Sequence, residues 1–478
     1  MSFRRLPPGW SLIALAALVK LLILATVYPQ RPSIVVNPDT STYVRPARAL
    51  LEIGRFAMSP ARPEEPELNR TPGYPLVLAV CFRLFGPGLL APAVLNILFS
   101  AGTGLLAALL AVRLFGPFAA RVAAAAVAFE PSGFHYSTVV LTDTPFTFFL
   151  VLAIVLLVRG LGRDNGREAV FFAAGLALAL AILIRPIAYY LPVVLAALLV
   201  LASPRRRALA AVALLLPPVL LVGGWQVRNR VRGGTWLVSQ QQKVMLYFCH
   251  AAYVEARVHG IPAPTEQERY GFQELLWRFS YVERARDVFG ERRYEDLYPD
   301  TSKLSLVELS DHWYRRALVV LKAHPWWVLE EHLRGAACLF LSPPAVLWAF
   351  GWGFLVPSQA FFDAFCSGEL LRVAAILARD YRGLFVLSAI SLVAVLAIYA
   401  LAVRGLRRAP REAGTAALLL TMVYLAVVSA APNAMDDRYR LPILALLAVF
   451  AGGGWGRAEP SAQREPEPCV LAAGSSDP

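Results

Sequence analysis

Apolar runs of roughly 17–25 residues recur along this chain, and arginines mark most of the gaps between them. The first run, Trp10 to Tyr28, follows Arg4 and Arg5. A helix of that length crosses a hydrocarbon core about 30 Å thick. The composition fits, with 57% hydrophobic residues, 17% charged residues and a mean hydropathy of +0.54. The expected fold class is an all-α polytopic membrane protein.

The positive-inside rule gives a self-consistent topology. Arg4 and Arg5 put the N-terminus inside, and no small-residue cleavage site follows the first run, which reads as an uncleaved span. Spans are then expected near 10–28, 88–112, 119–136, 144–159, 168–185, 187–202 and 208–225. Inner loops carry Arg113 and Arg121, then Arg159, Arg163 and Arg167, then Arg205, Arg206 and Arg207. Three more spans follow near 383–403, 412–430 and 440–455, with Arg404, Arg407, Arg408 and Arg411 inside. Residues 325–382 cross the membrane zero times or twice, as an amphipathic interfacial helix from Trp326 to Phe340 or a pair of spans that includes 345–357. The expectation is ten spans or twelve, with both termini inside. Gly452-Gly453-Gly454 reads as the stop of the last span, and no internal repeat is visible.

This divides the chain into a transmembrane module (1–225), an outer, partly helical domain (226–324), a C-terminal interfacial and transmembrane part (325–456) and a disordered inner tail (457–478). The long first outer loop (29–86) should hold a helix from Tyr43 to Phe56 that stops at Gly54, and a short interfacial helix from Pro72 to Phe85. In the outer domain the 3.6-residue pattern suggests helices at 266–289 and 306–320.

The net charge of +13 falls mostly at span ends, as expected of topology signals and lipid contacts rather than a nucleic-acid surface. The five cysteines, Cys81, Cys249, Cys338, Cys366 and Cys469, form no C-x-x-C pair, although Cys249 and Cys338 could pair if both lie outside. No phosphate-cradling glycine loop of either common type occurs.

Polar residues with chemical potential gather at the outer span ends. Asp39 stands in Asn37-Pro38-Asp39-Thr40-Ser41, where it either caps the following helix or serves as a base. Tyr43 lies one turn on. Arg70-Thr71-Pro72-Gly73-Tyr74-Pro75 is a rigid aromatic turn with a guanidinium suited to phosphate. Glu64, Glu65 and Glu67 read as a solvated acidic loop. Asp143 either caps span four or acts as a second acid. Arg185, Arg228, Arg438 and Arg440 either anchor span ends or bind phosphate. His135 fits poorly as a metal ligand, and the other histidines show no ligand spacing. Lys20, inside span one, either snorkels or faces the bundle interior.

Pro38-Asp39-x-x-x-Tyr43-x-x-x-Ala47, Gly54-x-Phe56, Arg70-Thr71-Pro72-Gly73-Tyr74-Pro75-Leu76 and Phe85-Gly86 together resemble the first outer loop of bacterial GT-C glycosyltransferases. The similarity is to the family 39-like group, related to protein mannosyltransferases and aminoarabinose transferases. It extends to Thr142-Asp143-Thr144-Pro145, where relatives often carry glutamate, to Trp225-Gln226-Val227-Arg228-Asn229, and to Asp437-Arg438-Tyr439-Arg440-Leu441-Pro442. The resemblance implies a GT-C-type bundle and a polyprenyl-phosphate sugar as donor. It implies a base at Asp39, a supporting acid at Asp143, and donor phosphate held by Arg438, Arg440, Arg70, Arg185 and Arg228. Tyr43, Tyr74 and Tyr439 would line the substrate pocket. The acceptor would be a hydroxyl on a protein, lipid or glycan at the outer face of a bacterial inner membrane. No cofactor is required by the sequence, and dependence on a divalent metal stays open. The competing reading is a transporter or flippase of a lipid-linked substrate. That class should place its ionisable residues near mid-membrane in two related halves, which this chain does not show.

Overall fold

The structure is a computed structural model and describes residues 6–161, 168–202, 204–271, 300–301, 303–343, 356–430 and 437–455. The expected inner-loop arginines Arg163 and Arg167, the helix over 272–289, most of the span at 345–357 and the tail after Gly456 lie outside the described residues. So do Cys469 and the side chains of Arg205, Arg206 and Arg207.

Helices dominate. The first half comprises α1 (Trp10–Val27), α2 (Thr40–Ile53), α3 (Gly73–Phe85), α4 (Leu90–Phe115), α5 (Pro117–Phe129), α6 (Pro131–Tyr136), α7 (Asp143–Leu161), α8 (Glu168–Ile184), α9 (Leu191–Ala202) and α10 (Pro204–Gly233). After it come α11 (Gln241–Met245), α12 (Ala252–His259) and α13 (Ala263–Arg269), with a π turn at Leu246–Ala251. The remainder is α14 (Leu306–Ala323), α15 (Pro325–Leu341), α16 (Gln359–Cys366), α17 (Leu370–Asp380), α18 (Arg382–Leu406), α19 (Ala413–Ser429) and α20 (Leu441–Trp455). Among the described residues, α1, α4, α7, α10 and α18 are long and apolar enough to cross a membrane, and shorter apolar helices accompany them. The chain is an all-α, multi-pass membrane protein. Exposed aliphatic side chains on α1 and α18, such as Leu18, Leu22, Ile390 and Val393, form the kind of surface that lipid tolerates.

All ten expected spans have a helix at their position, but their details differ. Span three is broken: α5 stops at Glu130, where Pro131 cannot continue the hydrogen-bond ladder, and α6 restarts. The Glu130 side chain caps the new helix by accepting from Gly133 N at 2.6 Å. Gly452, Gly453 and Gly454 lie in the last turn of α20, which is described to Trp455. A Cβ on Gly454 would lie 1.9 Å from the Leu401 carbonyl oxygen, so the glycines let α20 press against α18. Helix α10 runs on to Gly233, past the expected end near residue 225. Lys20 faces the interior, donating to Ser100 Oγ at 3.1 Å.

The first outer loop contains α2 and α3 as expected, and a short antiparallel hairpin between them, Ala57–Ser59 with Arg62–Pro66. Met58 of this hairpin packs with Tyr247, Phe248, Leu309 and Trp313, which joins the loop to α11–α14. In the 325–382 stretch, α15 turns Glu331 inward to Arg257 at 2.6 Å while Glu330 stays exposed. Among the described residues, the helices that follow, α16 and α17, are short and do not correspond to an expected element. Cys81, Cys249, Cys338 and Cys366 are all free thiols, so Cys249 and Cys338 do not pair.

Candidate active site

A cavity of about 630 Å³ lies where α2 and α3 begin, α8 and α19 end, and the Asp437–Arg440 turn leads into α20. Asp39, Tyr43, Arg70, Arg185, Arg438 and Tyr439 all line it.

Asp39 occupies the N-cap position of α2, yet its side chain makes no capping hydrogen bond. Its neighbours build the turn. Thr40 Oγ1 accepts from Asn37 N at 2.9 Å, Asn37 Oδ1 accepts from Asp39 N at 3.1 Å, and Thr42 Oγ1 donates to Asp39 O at 2.6 Å. The Asp39 carboxylate is thereby spared for other partners. Its Oδ1 accepts from Arg70 Nη2 at 3.1 Å and its Oδ2 from Arg438 Nη1 at 3.0 Å.

Arg70 lies over the Tyr43 ring at 4.5 Å and donates Nη1 to Tyr43 Oη at 3.0 Å. Tyr74 does not line the cavity. It is buried edge-on beneath Tyr43, with centroids 5.6 Å apart, and its hydroxyl accepts from Asn96 Nδ2 at 3.2 Å. Tyr74 therefore supports Tyr43, a different place from the pocket wall read from the sequence.

Tyr439 sits between two guanidiniums, with Arg438 at 5.0 Å and Arg185 at 5.1 Å from its ring centroid. Arg185 in turn makes an ion pair with Asp143, which opens α7 and is buried. Asp143 reaches the site through Arg185, since Thr142 and not Asp143 lines the cavity.

Two of the expected phosphate ligands are turned away. Arg440 is fully buried, donating to the Ser342 carbonyl at 2.7 Å and Ser132 Oγ at 3.1 Å, with Asp437 at 3.7 Å and Glu130 at 3.9 Å. The reason is the 3₁₀ turn from Asp437 to Arg440. Three residues per turn put positions 437 and 440 on one face, which leaves 438 and 439 facing the cavity. Arg228 donates to the Glu67 and Phe56 carbonyls, each at 2.6 Å, and lies 4.7 Å over Trp225. It braces the base of the first outer loop.

That loop is also fastened by residues the sequence reading passed over. Glu67 is buried, not solvated. Its Oε1 accepts from Asn69 N at 2.7 Å and Arg70 N at 2.8 Å, which sets the turn that presents Arg70. Burial pushes this carboxyl above the ordinary range, against the pull of those amides and of Arg70 and Arg228. Ser239 Oγ donates to the Asn69 carbonyl, and Gln240 N to the Leu68 carbonyl at 2.9 Å. Thr71 Oγ1 donates to the Ile184 carbonyl at 3.2 Å, next to Arg185. The glycine of the Pro72-Gly73-Tyr74 turn has a steric purpose, because a Cβ there would lie 2.7 Å from the Leu183 carbonyl oxygen.

The rest of the cavity wall comes largely from α11, the π turn, α12 and α16, and includes Gln241, Gln242, Cys249, His250, Tyr253, Phe362 and Cys366. Burial and the nearby His332 pull the His250 imidazole down to about 4. Burial pushes the thiols of Cys249 and Cys366 up to about 12. This wall offers neutral amides, rings and unionised thiols. The Gln240-Gln241-Gln242 run was its available signal in the sequence, but nothing local ties that run to Asp39. His135 is buried against Tyr136. Among the described residues, the donors able to gather round a metal are Glu255, His259 and Glu266, and Tyr270 and Arg269 already engage those carboxylates.

Residues 69–223 match the family described as dolichyl-phosphate-mannose-protein mannosyltransferase, which bears out over that segment the GT-C resemblance carried by the motifs. No curated protein matches the chain. Among solved structures, the Archaeoglobus fulgidus oligosaccharyltransferase tethered to an acceptor peptide is similar at 15% identity and a TM-score of 0.48, covering 93% of this chain and 49% of that one. ArnT from Cupriavidus metallidurans bound to undecaprenyl phosphate is similar at 16% identity and a TM-score of 0.40, covering 93% of this chain and 78% of that one. The chain spans about half the length of the archaeal oligosaccharyltransferase.

Proposed function

We propose, for a chain whose residues 69–223 match a GT-C glycosyltransferase family, that the cavity transfers a sugar from a polyprenyl-phosphate carrier to an acceptor hydroxyl with inversion at the anomeric carbon. The observation that carries this reading is the carboxylate of Asp39, held at the cavity wall by Arg70 and Arg438 instead of capping its own helix. A base, and cations suited to a departing phosphate, thus share one site.

In the proposed step the acceptor oxygen attacks the anomeric carbon and its proton passes to Asp39. The bond from that carbon to the phosphate oxygen breaks, and the polyprenyl phosphate leaves with the electron pair. Base assistance of this kind contributes about 10²–10⁴-fold, and cations at the leaving oxygen act where charge develops. Arg438 and Arg185, spaced by the Tyr439 ring, are the proposed phosphate clamp, with Arg70 beside them. Donor phosphate would compete with Asp39 for Arg438, releasing Oδ2 toward the acceptor, so that the base is exposed when the donor is in place. Asp143 holds Arg185 in position. The neutral wall of residues 241–253 is the proposed contact for sugar and acceptor, and the reaction is assigned to the outer face of a bacterial inner membrane.

The test is transfer of labelled sugar from a panel of polyprenyl-phosphate donors by the purified protein in lipid, with cell-envelope extract as acceptor and the anomeric configuration of the product read by NMR. An inverted product is expected. A product of retained configuration would contradict the single displacement, and absence of transfer across the panel would contradict the enzyme reading.

A further inference from the structure

A second cavity, of about 660 Å³, lies at the far end of α19 from Val428 and Ser429 of the first. The two are separated by the 17-residue length of that helix, roughly 25 Å at 1.5 Å per residue. It is a groove between the end of α9 and the turn that joins α18 to α19. One wall is apolar, built from Leu198 and Leu201 of α9, Leu406 of α18 and Leu419 of α19. Leu201 is 81% exposed, so none of the described residues covers that part of the wall. The other wall carries two exposed guanidiniums, Arg407 and Arg411.

Two details suit an anion. Thr415 lines the groove, and its hydroxyl oxygen is buried with no hydrogen-bond partner. A buried hydroxyl left unpaired is costly, and a ligand that accepts from it offsets that cost. Among the described residues Glu412 is the one carboxylate in the lining, and Arg113 lies 3.9 Å from it. With Glu412 offset by Arg113, the charge of Arg407 and Arg411 remains for the ligand.

We infer that this groove binds an anionic glycerophospholipid. Its phosphate would meet Arg407, Arg411 and the Thr415 hydroxyl, and its acyl chains would lie along Leu198, Leu201, Leu406 and Leu419. The pairing of a cationic wall with an apolar one is what selects a lipid: a soluble anion would satisfy the arginines and leave the leucine wall uncovered. The groove also sits at a helix end, the depth at which a head group meets a chain region. The bound lipid would fasten α9 to the α18–α19 turn, so its effect should appear in the stability of the bundle.

The test uses the full-length protein in vesicles or nanodiscs of phosphatidylcholine alone, or of phosphatidylcholine with phosphatidylglycerol. Thermal unfolding and retained lipid, the latter by native mass spectrometry, are the readouts. Wild type is compared with Arg407→Ala/Arg411→Ala, with Arg407→Lys/Arg411→Lys and with Arg404→Ala, a neighbouring arginine outside the groove. Phosphatidylglycerol should raise the unfolding temperature of wild type and stay bound. The double alanine variant should lose about thirtyfold in lipid affinity, from about 1 kcal/mol for each basic residue. The double lysine variant should keep most of the affinity, and Arg404→Ala all of it. Equal retention by wild type and the double alanine variant would overturn the proposal, as would equal stabilisation by inorganic phosphate in phosphatidylcholine. If the double alanine variant unfolds before measurement, Thr415→Val and the lysine variant decide: unchanged retention in Thr415→Val together with lost retention in the lysine variant would also overturn it.

Discussion

Asp39 and Arg438 stand 399 positions apart in the chain and meet at 3.0 Å, carboxylate to guanidinium, on the wall of one cavity. The contact joins the first outer loop to the entry of the last helix, and everything that presents the two side chains is local. Asn37, Thr40 and Thr42 make the turn that spares the Asp39 carboxylate, and a 3₁₀ turn aims Arg438 outward from the core.

The same turn separates Arg438 from Arg440, and alanine at each should fail differently. Removing Arg440 takes the guanidinium away from the buried acids Asp437 and Glu130, and breaking a buried ion pair by removing one partner is strongly destabilising. Arg440→Ala should therefore lower the unfolding temperature sharply. Arg438→Ala should keep the fold and raise the apparent KM for the lipid donor. Thermal unfolding and donor-dependent kinetics on the two purified variants check this, and the reverse pattern would reassign the two arginines.

Gly73→Ala should act through geometry. The new methyl would press on the Leu183 carbonyl at 2.7 Å, a backbone group that cannot swing aside, so α3 must shift from the end of α8. Arg70 and Arg185 lie on either side of that contact. The expected result is a loss of transfer larger than the loss of stability, read from kcat/KM beside the unfolding temperature. Serine should behave like alanine, since the clash is with the Cβ itself.

His250 predicts a pH dependence. Its imidazole is held down at about 4 by burial and by His332, against about 6.5 when unfolded. A depressed folded value means the unfolded chain takes up protons first as pH falls. The stability is fully present above about 6.5 and is lost as pH drops toward 4. Unfolding temperatures taken across that window should decline in wild type and decline less in His250→Gln.

The spans were legible because lipid imposes length and apolarity on any helix that crosses it, and arginines mark the ends. The break at Glu130-Pro131 was written in the proline but masked by the apolar run around it. Of the residues the sequence singled out, Asp39, Tyr43, Arg70, Arg185, Arg438 and Tyr439 line one cavity. Tyr74, Arg228 and Arg440 were proposed beside them and are turned into supporting packing. The difference between Arg438 and Arg440 depends on a 3₁₀ turn that residue type does not announce. Glu67 looked like one of three solvated glutamates, and only the folded loop buries it against the amides of Asn69 and Arg70. The neutral wall of α11–α12 and α16 comes from distant segments whose approach has no local signature.

The measurement that tests the central claim most directly is transfer by Asp39→Asn beside wild type, with donor binding and thermal unfolding measured on the same preparations. The amide keeps the shape and a hydrogen-bond acceptor but cannot take the acceptor's proton. The account predicts an unfolding temperature close to wild type, retained donor binding and transfer reduced by about 10²–10⁴-fold. Transfer at the wild-type rate would show that Asp39 only organises Arg70 and Arg438, and that the base lies elsewhere in the cavity.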